Sequence, residues 1–228
     1  MSSTLFYRLS GLALLVGGVV GAVEAVASAV LYPGHAATAQ QILSFPWMLL
    51  ASLYLTGFLL LALGLPGMYR RQSARTGGWG RAGFIVLLVG VVLGGVLVGL
   101  LQVATMPAQA QSDPKSFAAG SDLSAGAYAL FVLIPVLLIA VGAILLGVAS
   151  LRARAFPRGA ATLLLAAGII GLVSLVMPSA IENILEALWN AVFFLAFGWF
   201  GFALVFQRGE SMRASERATP IAQASREA

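Results

Sequence analysis

The chain predicts an all-α, polytopic membrane protein built as a six-helix transmembrane bundle. Three observations predict it. Of 228 residues, 60% are hydrophobic and only 9% are charged, whereas a soluble domain carries about 25% charged residues. The apolar residues fall in six runs of roughly twenty, about the length that spans the hydrocarbon layer at roughly 1.5 Å per helical residue. Each run must be helical, because a lone strand would leave its backbone unpaired in lipid.

The first run covers about 6–31, with Arg8 close to its start. Its start also has the form of a signal peptide, with a short basic beginning and the small-residue ending Ala27-Ser28-Ala29; cleavage there would leave five spans without reversing the rest. The second run, 46–69, ends at Arg70 and Arg71, and the third, 82–106, begins at Arg81. The fourth, 125–151, contains Pro135, which frees a backbone carbonyl and would kink the helix. It ends at Arg152 and Arg154. The fifth, 159–177, follows Arg158, and the sixth, 184–206, precedes Arg208. These six spans make up a transmembrane domain over 1–206. Residues 207–228 are charged and rich in small residues, and are expected to be a disordered cytoplasmic tail whose arginines lie near anionic headgroups.

Charge sets the orientation. Every arginine lies before run one, between runs two and three, between four and five, or after six, and the connections 32–45, 107–124 and 178–183 contain none. The positive-inside rule then places both termini in the cytoplasm, and arginine outnumbering lysine twelve to one is compatible with a high-GC bacterial genome and so a bacterial inner membrane. The net charge of +5 is explained by this rule without nucleic acid. The absence of cysteine excludes disulfides, thiol catalysis and cysteine metal sites.

The three outward-running helices share a frame. Counting from Arg8, Arg81 and Arg158, the ninth residue on is Gly17, Gly90 or Ala167, and the thirteenth is Gly21, Gly94 or Gly171. Each run ends before a proline, at Pro33, Pro107 or Pro178. The chain therefore reads as three related helical hairpins. Small residues four apart share a helix face and let two backbones approach, within the bundle or across a dimer.

The candidate site lies toward the outer end. Glu24 is sixteen residues past Arg8, roughly 24 Å along the axis, and Glu182, Glu186 and Asn190 recur every four residues. An ionisable group at membrane depth is a functional candidate because its charge is costly unless paired or hydrated. Should Glu24, Glu186 and Asn190 face one another, they would form a proton or cation site; otherwise they sit at headgroup level in water. Gln102 is a further polar candidate in the third run. His35, the only histidine, lacks any metal-ligand spacing, and no metal, cofactor or catalytic set is expected. Gly78-Trp79-Gly80-Arg81-Ala82-Gly83 matches a dinucleotide pattern, but that pattern has meaning only between a strand and a helix. The aromatics Trp189, Phe193, Phe194, Phe197, Trp199, Phe200, Phe202 and Phe206 go nearly all round the sixth run, so some must face lipid.

Four stretches carry a family resemblance: Leu5-Phe6-Tyr7-Arg8-Leu9-Ser10-Gly11-Leu12-Ala13, Leu31-Tyr32-Pro33-Gly34-His35, Leu63-Gly64-Leu65-Pro66-Gly67-Met68-Tyr69 and Gly147-Val148-Ala149-Ser150-Leu151-Arg152-Ala153-Arg154. From residue 5 to about 206 the chain resembles uncharacterised bacterial six-transmembrane-helix integral membrane proteins. The resemblance implies a membrane location and brings no activity or catalytic residues. Two functions are expected from the residues: transport or permeation of a small solute or ion, or a non-catalytic structural, assembly or sensor role. The expected partners are the lipid bilayer and, through the helix faces, a second copy or another membrane protein.

Overall fold

The computed structural model describes residues 3–33, 37–117, 129–177 and 179–224, with side chains for 4–33, 37–117, 129–177 and 184–206. Among these residues all regular structure is helical. Helix α1 is Ser3–Leu31, α2 is the single turn Ala39–Ile42, and α3 is Phe45–Gly90. Two wide π-type stretches, Val91–Leu97 and Leu101–Thr105, flank the short α4, Val98–Leu100, and lead into α5, Met106–Ser112. After a 3₁₀ turn at Pro114–Phe117 and a π turn at Ala129–Leu133 come α6 (Ile134–Ala153), α7 (Arg158–Ser174) and α8 (Ser179–Ala224).

Four helical stretches are long and apolar enough to cross a membrane: Thr4–Leu31, Phe45–Ser112, Ala129–Ala153 and Ile184–Phe206. The second is 68 residues long, more than twice what a bilayer needs. It is bent back on itself. Gly77 has φ 58 and ψ −158, outside the helical region. Leu55 meets Gly99, Phe58 meets Gly95, and Tyr69 stacks on Phe84 with ring centroids 4.4 Å apart. These pairs are symmetric about residues 76 and 77, so the two arms run antiparallel. The stretch Arg158–Ser174 is also apolar, with 17 residues.

The elements close into a ring. α1 packs on the first arm of α3, the second arm on α6, α6 on α7, α7 on α8, and α8 again on α1. Lipid supplies no hydrophobic drive for helices to associate, so close packing must hold them. Along α1 and α8 the backbones themselves touch: a Cβ on Gly18 would fall 2.5 Å from the Gly198 nitrogen. The last helix is the most enclosed, with 56% of its apolar window buried against 33% in each of the other three. Its Phe193, Phe194, Phe197 and Phe200 are fully buried and join Phe58, Leu61 and Leu65 in the core, while Trp199, Phe202 and Phe206 remain exposed.

The connections at the arginine-poor end also pack. Helix α2 lies against α5 and the 3₁₀ turn, burying Ile42 and Ala110. Thr38 caps α2 in a reciprocal box with Gln41. At the opposite end Arg70 lies over the Phe6 ring, at 5.7 Å. Arg71 lies 4.8 Å over Phe156 and donates to the Ala203 carbonyl at 3.0 Å, tying three parts of the ring together.

Two expectations about boundaries change. Pro107 does not end the third run, because the π turn before it opens the hydrogen-bond ladder and α5 continues to Ser112 with the proline in its first turn. Pro135 likewise sits in the first turn of α6, after the π turn Ala129–Leu133, rather than breaking a regular helix. The last helix extends beyond the sixth run to Ala224, through a segment rich in the good helix formers Ala, Arg, Glu and Gln. Pro178 and residues 118–128 lie outside the described residues.

Candidate functional site

The end of the bundle away from the arginines contains a cavity of about 670 Å³. It is formed where α1 ends, the first arm of α3 begins, the second arm finishes and α8 starts. Those four places supply Glu24 and Ser28, Trp47 and Tyr54, Gln102, and Glu186 and Asn190. The volume suits a small molecule rather than a bare ion, since ligand pockets commonly measure about 300–1,000 Å³.

Glu24 is the deep acidic group. It is 7% exposed, yet its carboxylate makes no hydrogen bond with a described residue. It lines the cavity together with the small residues Ala25 and Ser28 of the same helix. Glu186 lines the same cavity from α8 and is exposed; it lies within electrostatic reach of Glu24. One turn on, the Asn190 amide donates to the Glu186 backbone carbonyl at 3.1 Å, which fixes its rotamer and leaves its own oxygen free to accept.

Aromatic side chains form the opposite wall. Tyr32 and Trp47 meet edge to face, with centroids 5.5 Å apart, and the Tyr32 hydroxyl lies 3.2 Å from Ser44 Oγ. Ser44 in turn caps the start of α3, so the rim is braced by local chemistry. The buried Trp47 indole N–H has no hydrogen-bond partner among the described residues. Tyr54 donates to the Gly94 carbonyl at 2.8 Å, a carbonyl inside the first π stretch. Tyr54 is within electrostatic reach of both glutamates.

Below Tyr54 the cavity is closed by rings. Tyr54 packs on Phe58 at 4.7 Å and Phe58 on Phe194 at 4.9 Å. Phe194 continues through Phe193 to Phe197 at 5.7 and 4.9 Å, then Phe200 at 6.2 Å and Phe156 at 5.0 Å. An unbroken column of aromatic side chains thus runs from the cavity floor to the Arg71 guanidinium.

The structure therefore brings Glu24, Glu186 and Asn190 together, and adds Gln102 to them. The side chain of Glu182 and all of His35 lie outside the described residues. Tyr32, Trp47 and Tyr54 were not singled out in the sequence. The available signal was a tyrosine well inside an apolar run, between Ser52 and Thr56. Those two hydroxyls bond to carbonyls one turn back, whereas Tyr54 reaches another arm.

The shared-frame residues serve packing. Gly17 meets Leu60 and Gly57, Gly90 meets Ile139, Gly94 meets Pro135 and Gly171 meets Trp189, each inside its own hairpin. Gly21 faces Phe194 of α8, and Ala167 is fully buried. The Gly-rich run at 78–83 follows the turn at Gly77 and begins the second arm, with Gly83 against Leu145 and Leu146, and no strand precedes it among the described residues. No cluster of three or more His, Cys, Asp or Glu able to hold a metal occurs among the described residues.

No family model, curated protein or solved structure matches the chain.

Proposed function

We propose that this is a membrane-embedded, non-catalytic protein whose acidic, aromatic-walled cavity takes a small cationic solute, as a component of solute transport or permeation. The single observation that carries it is the convergence of Glu24 and Glu186 on one cavity with Trp47, Tyr54 and Tyr32. Carboxylates attract a cation by charge, and aromatic faces add cation–π attraction of roughly 0.5–2 kcal/mol each when desolvated. Gln102 and Asn190 would orient the polar end of the solute. A buried carboxylate without a hydrogen-bond partner among the described residues also favours a cationic occupant, because its charge is costly until matched.

In this proposal the chain crosses the membrane six times. The bent 68-residue stretch supplies two crossings, and the 17 residues of α7 supply a short one of roughly 26 Å, completed by local thinning and by Arg158 reaching to the interface. Every arginine then faces the cytoplasm of a bacterial inner membrane, and the cavity opens on the other side. The resemblance to uncharacterised bacterial six-span membrane proteins is consistent with this placement.

The aromatic column supports a second role. With Phe58, Phe193, Phe194 and Phe197 packed beneath the site, a solute bound there has no open path onward. Permeation requires these rings to move; a sensor would instead report occupancy while they stay closed.

Purified protein in proteoliposomes distinguishes the outcomes, with tetramethylammonium, ethanolamine and uncharged glycerol as probes and tryptophan fluorescence as the binding signal. Binding of the cations but not glycerol is expected, weakened about tenfold or more by Glu24→Gln and less by Glu186→Gln. Equal binding by wild type and both variants would sink the cation site. Binding without flux would support the sensor role.

A further inference from the structure

A second, smaller cavity of about 360 Å³ lies at the arginine-bearing end, between the α3 hairpin turn and the end of α6. Its wall joins Arg75, Thr76 and Trp79 from the turn to Leu145, Val148, Ala149 and Arg152 from α6. We infer that this cavity is a binding site for the phosphate headgroup of an anionic phospholipid, held between the Arg75 and Arg152 guanidinium groups.

Three features lead there. First, two like charges from different elements line one small cavity. Both side chains are exposed, so water screens their mutual repulsion, and together they offer an anion two cationic contacts from different elements. Neither guanidinium has a hydrogen bond, ion pair or ring contact with a described residue. This separates them from Arg70 and Arg71, which are engaged with Phe6, Phe156 and the Ala203 carbonyl. Second, no carboxylate is available at this end among the described side chains: Glu24, Asp113 and Glu186 all belong to the opposite end. Arginine is suited to the role, since its planar fork grips phosphate oxygens in pairs.

Third, the rest of the wall distinguishes a lipid from a free anion. Leu145 and Val148, both partly exposed, and the buried Ala149 give the cavity an apolar side, in helical register with the exposed Leu137 and Val141 of α6. Trp79 is 68% exposed, as expected of an indole resting at the headgroup level. The geometry suits a ligand with charge at one end and hydrocarbon at the other. Basic pockets between spanning helices take such headgroups. Gly77 and Gly78 leave open space beside the turn, since a Cβ on either would meet nothing within 4 Å. The site lies at the other end of the bundle from the solute cavity and stands independently of it.

Native mass spectrometry of the full chain, released from detergent with graded phosphatidylglycerol or phosphatidylcholine, tests the assignment. Two double variants with equal charge loss at the same end are compared, Arg75→Gln with Arg152→Gln and Arg81→Gln with Arg158→Gln. Phosphatidylglycerol retention is expected to fall about tenfold or more in the first pair only, with phosphatidylcholine retention unchanged in both. Equal losses in the two pairs would mean diffuse surface attraction and overturn the site; so would retention unchanged in the first. Inorganic phosphate is titrated as a competitor. Displacement of the lipid only at high millimolar phosphate supports a lipid site, whereas phosphate bound tightly without phosphatidylglycerol would overturn the lipid assignment. Helix content by circular dichroism confirms that each exposed-arginine variant is folded.

Discussion

Gln72 is fully buried, and its side-chain carbonyl accepts from Ser150 Oγ at 2.7 Å while its amide nitrogen has no partner among the described residues. A half-satisfied polar pair inside an apolar bundle costs more to break than to remove. Ser150→Ala is therefore expected to destabilise the protein by roughly 1–3 kcal/mol, because it orphans the second polar atom of Gln72 as well. Adding Gln72→Met to that variant should recover most of the loss, since both polar groups are then gone. Unfolding in graded SDS, followed by circular dichroism, measures both; a double variant as unstable as the single one would contradict the argument. Neither partner was visible from sequence. Gln72 read as part of an arginine-rich loop, and nothing local says that a serine 78 positions later lies against it. Glu24 was the opposite case: a carboxylate deep in an apolar run stands out without any structure.

Helical elements show a different balance. Helical character was legible in the hydrophobic runs, because each must satisfy its backbone internally. Their ends were harder to place. Pro107 and Pro135 looked like a stop and a kink, yet π turns next to each absorb the lost hydrogen bond. The hairpin turn depends on one residue. Gly77, at φ 58 and ψ −158, occupies backbone space that is essentially restricted to glycine. Gly77→Ala is expected to cost on the order of 1–3 kcal/mol, although a Cβ there meets nothing. Gly78→Ala, equally uncrowded and without positive φ, should change stability by well under that. The same SDS titration compares the two, and equal losses would show that conformation at Gly77 is not what holds the turn.

At the scale of the molecule, ring closure makes α8 the neighbour of α1 and turns chain ends into adjacent walls. The proposed six-span arrangement predicts which surfaces face which side of the membrane. With no native cysteine, single replacements report cleanly. Ala74→Cys and Ser112→Cys are both on exposed positions, one at each end of the bundle. An impermeant thiol reagent added to sealed cells should label position 112 and spare 74, and after lysis it should label both. Labelling of both in intact cells would refute the arrangement.

Composition and run length by themselves determined that the chain is helical and apolar enough for a membrane, because lipid permits few other ways to satisfy a buried backbone. Arginine placement determined that one end of the bundle is basic, since the runs alternate in direction. Only the tertiary structure decided that Glu24, Glu186, Asn190 and Gln102 share a cavity with Trp47 and Tyr54, and that Arg75 and Arg152 share another. The physical reason is rotational. Sequence gives the height of a residue along its helix, but which way it faces is set by packing of small residues such as Gly18 against Gly198. A few tens of degrees there would turn the same glutamates toward lipid.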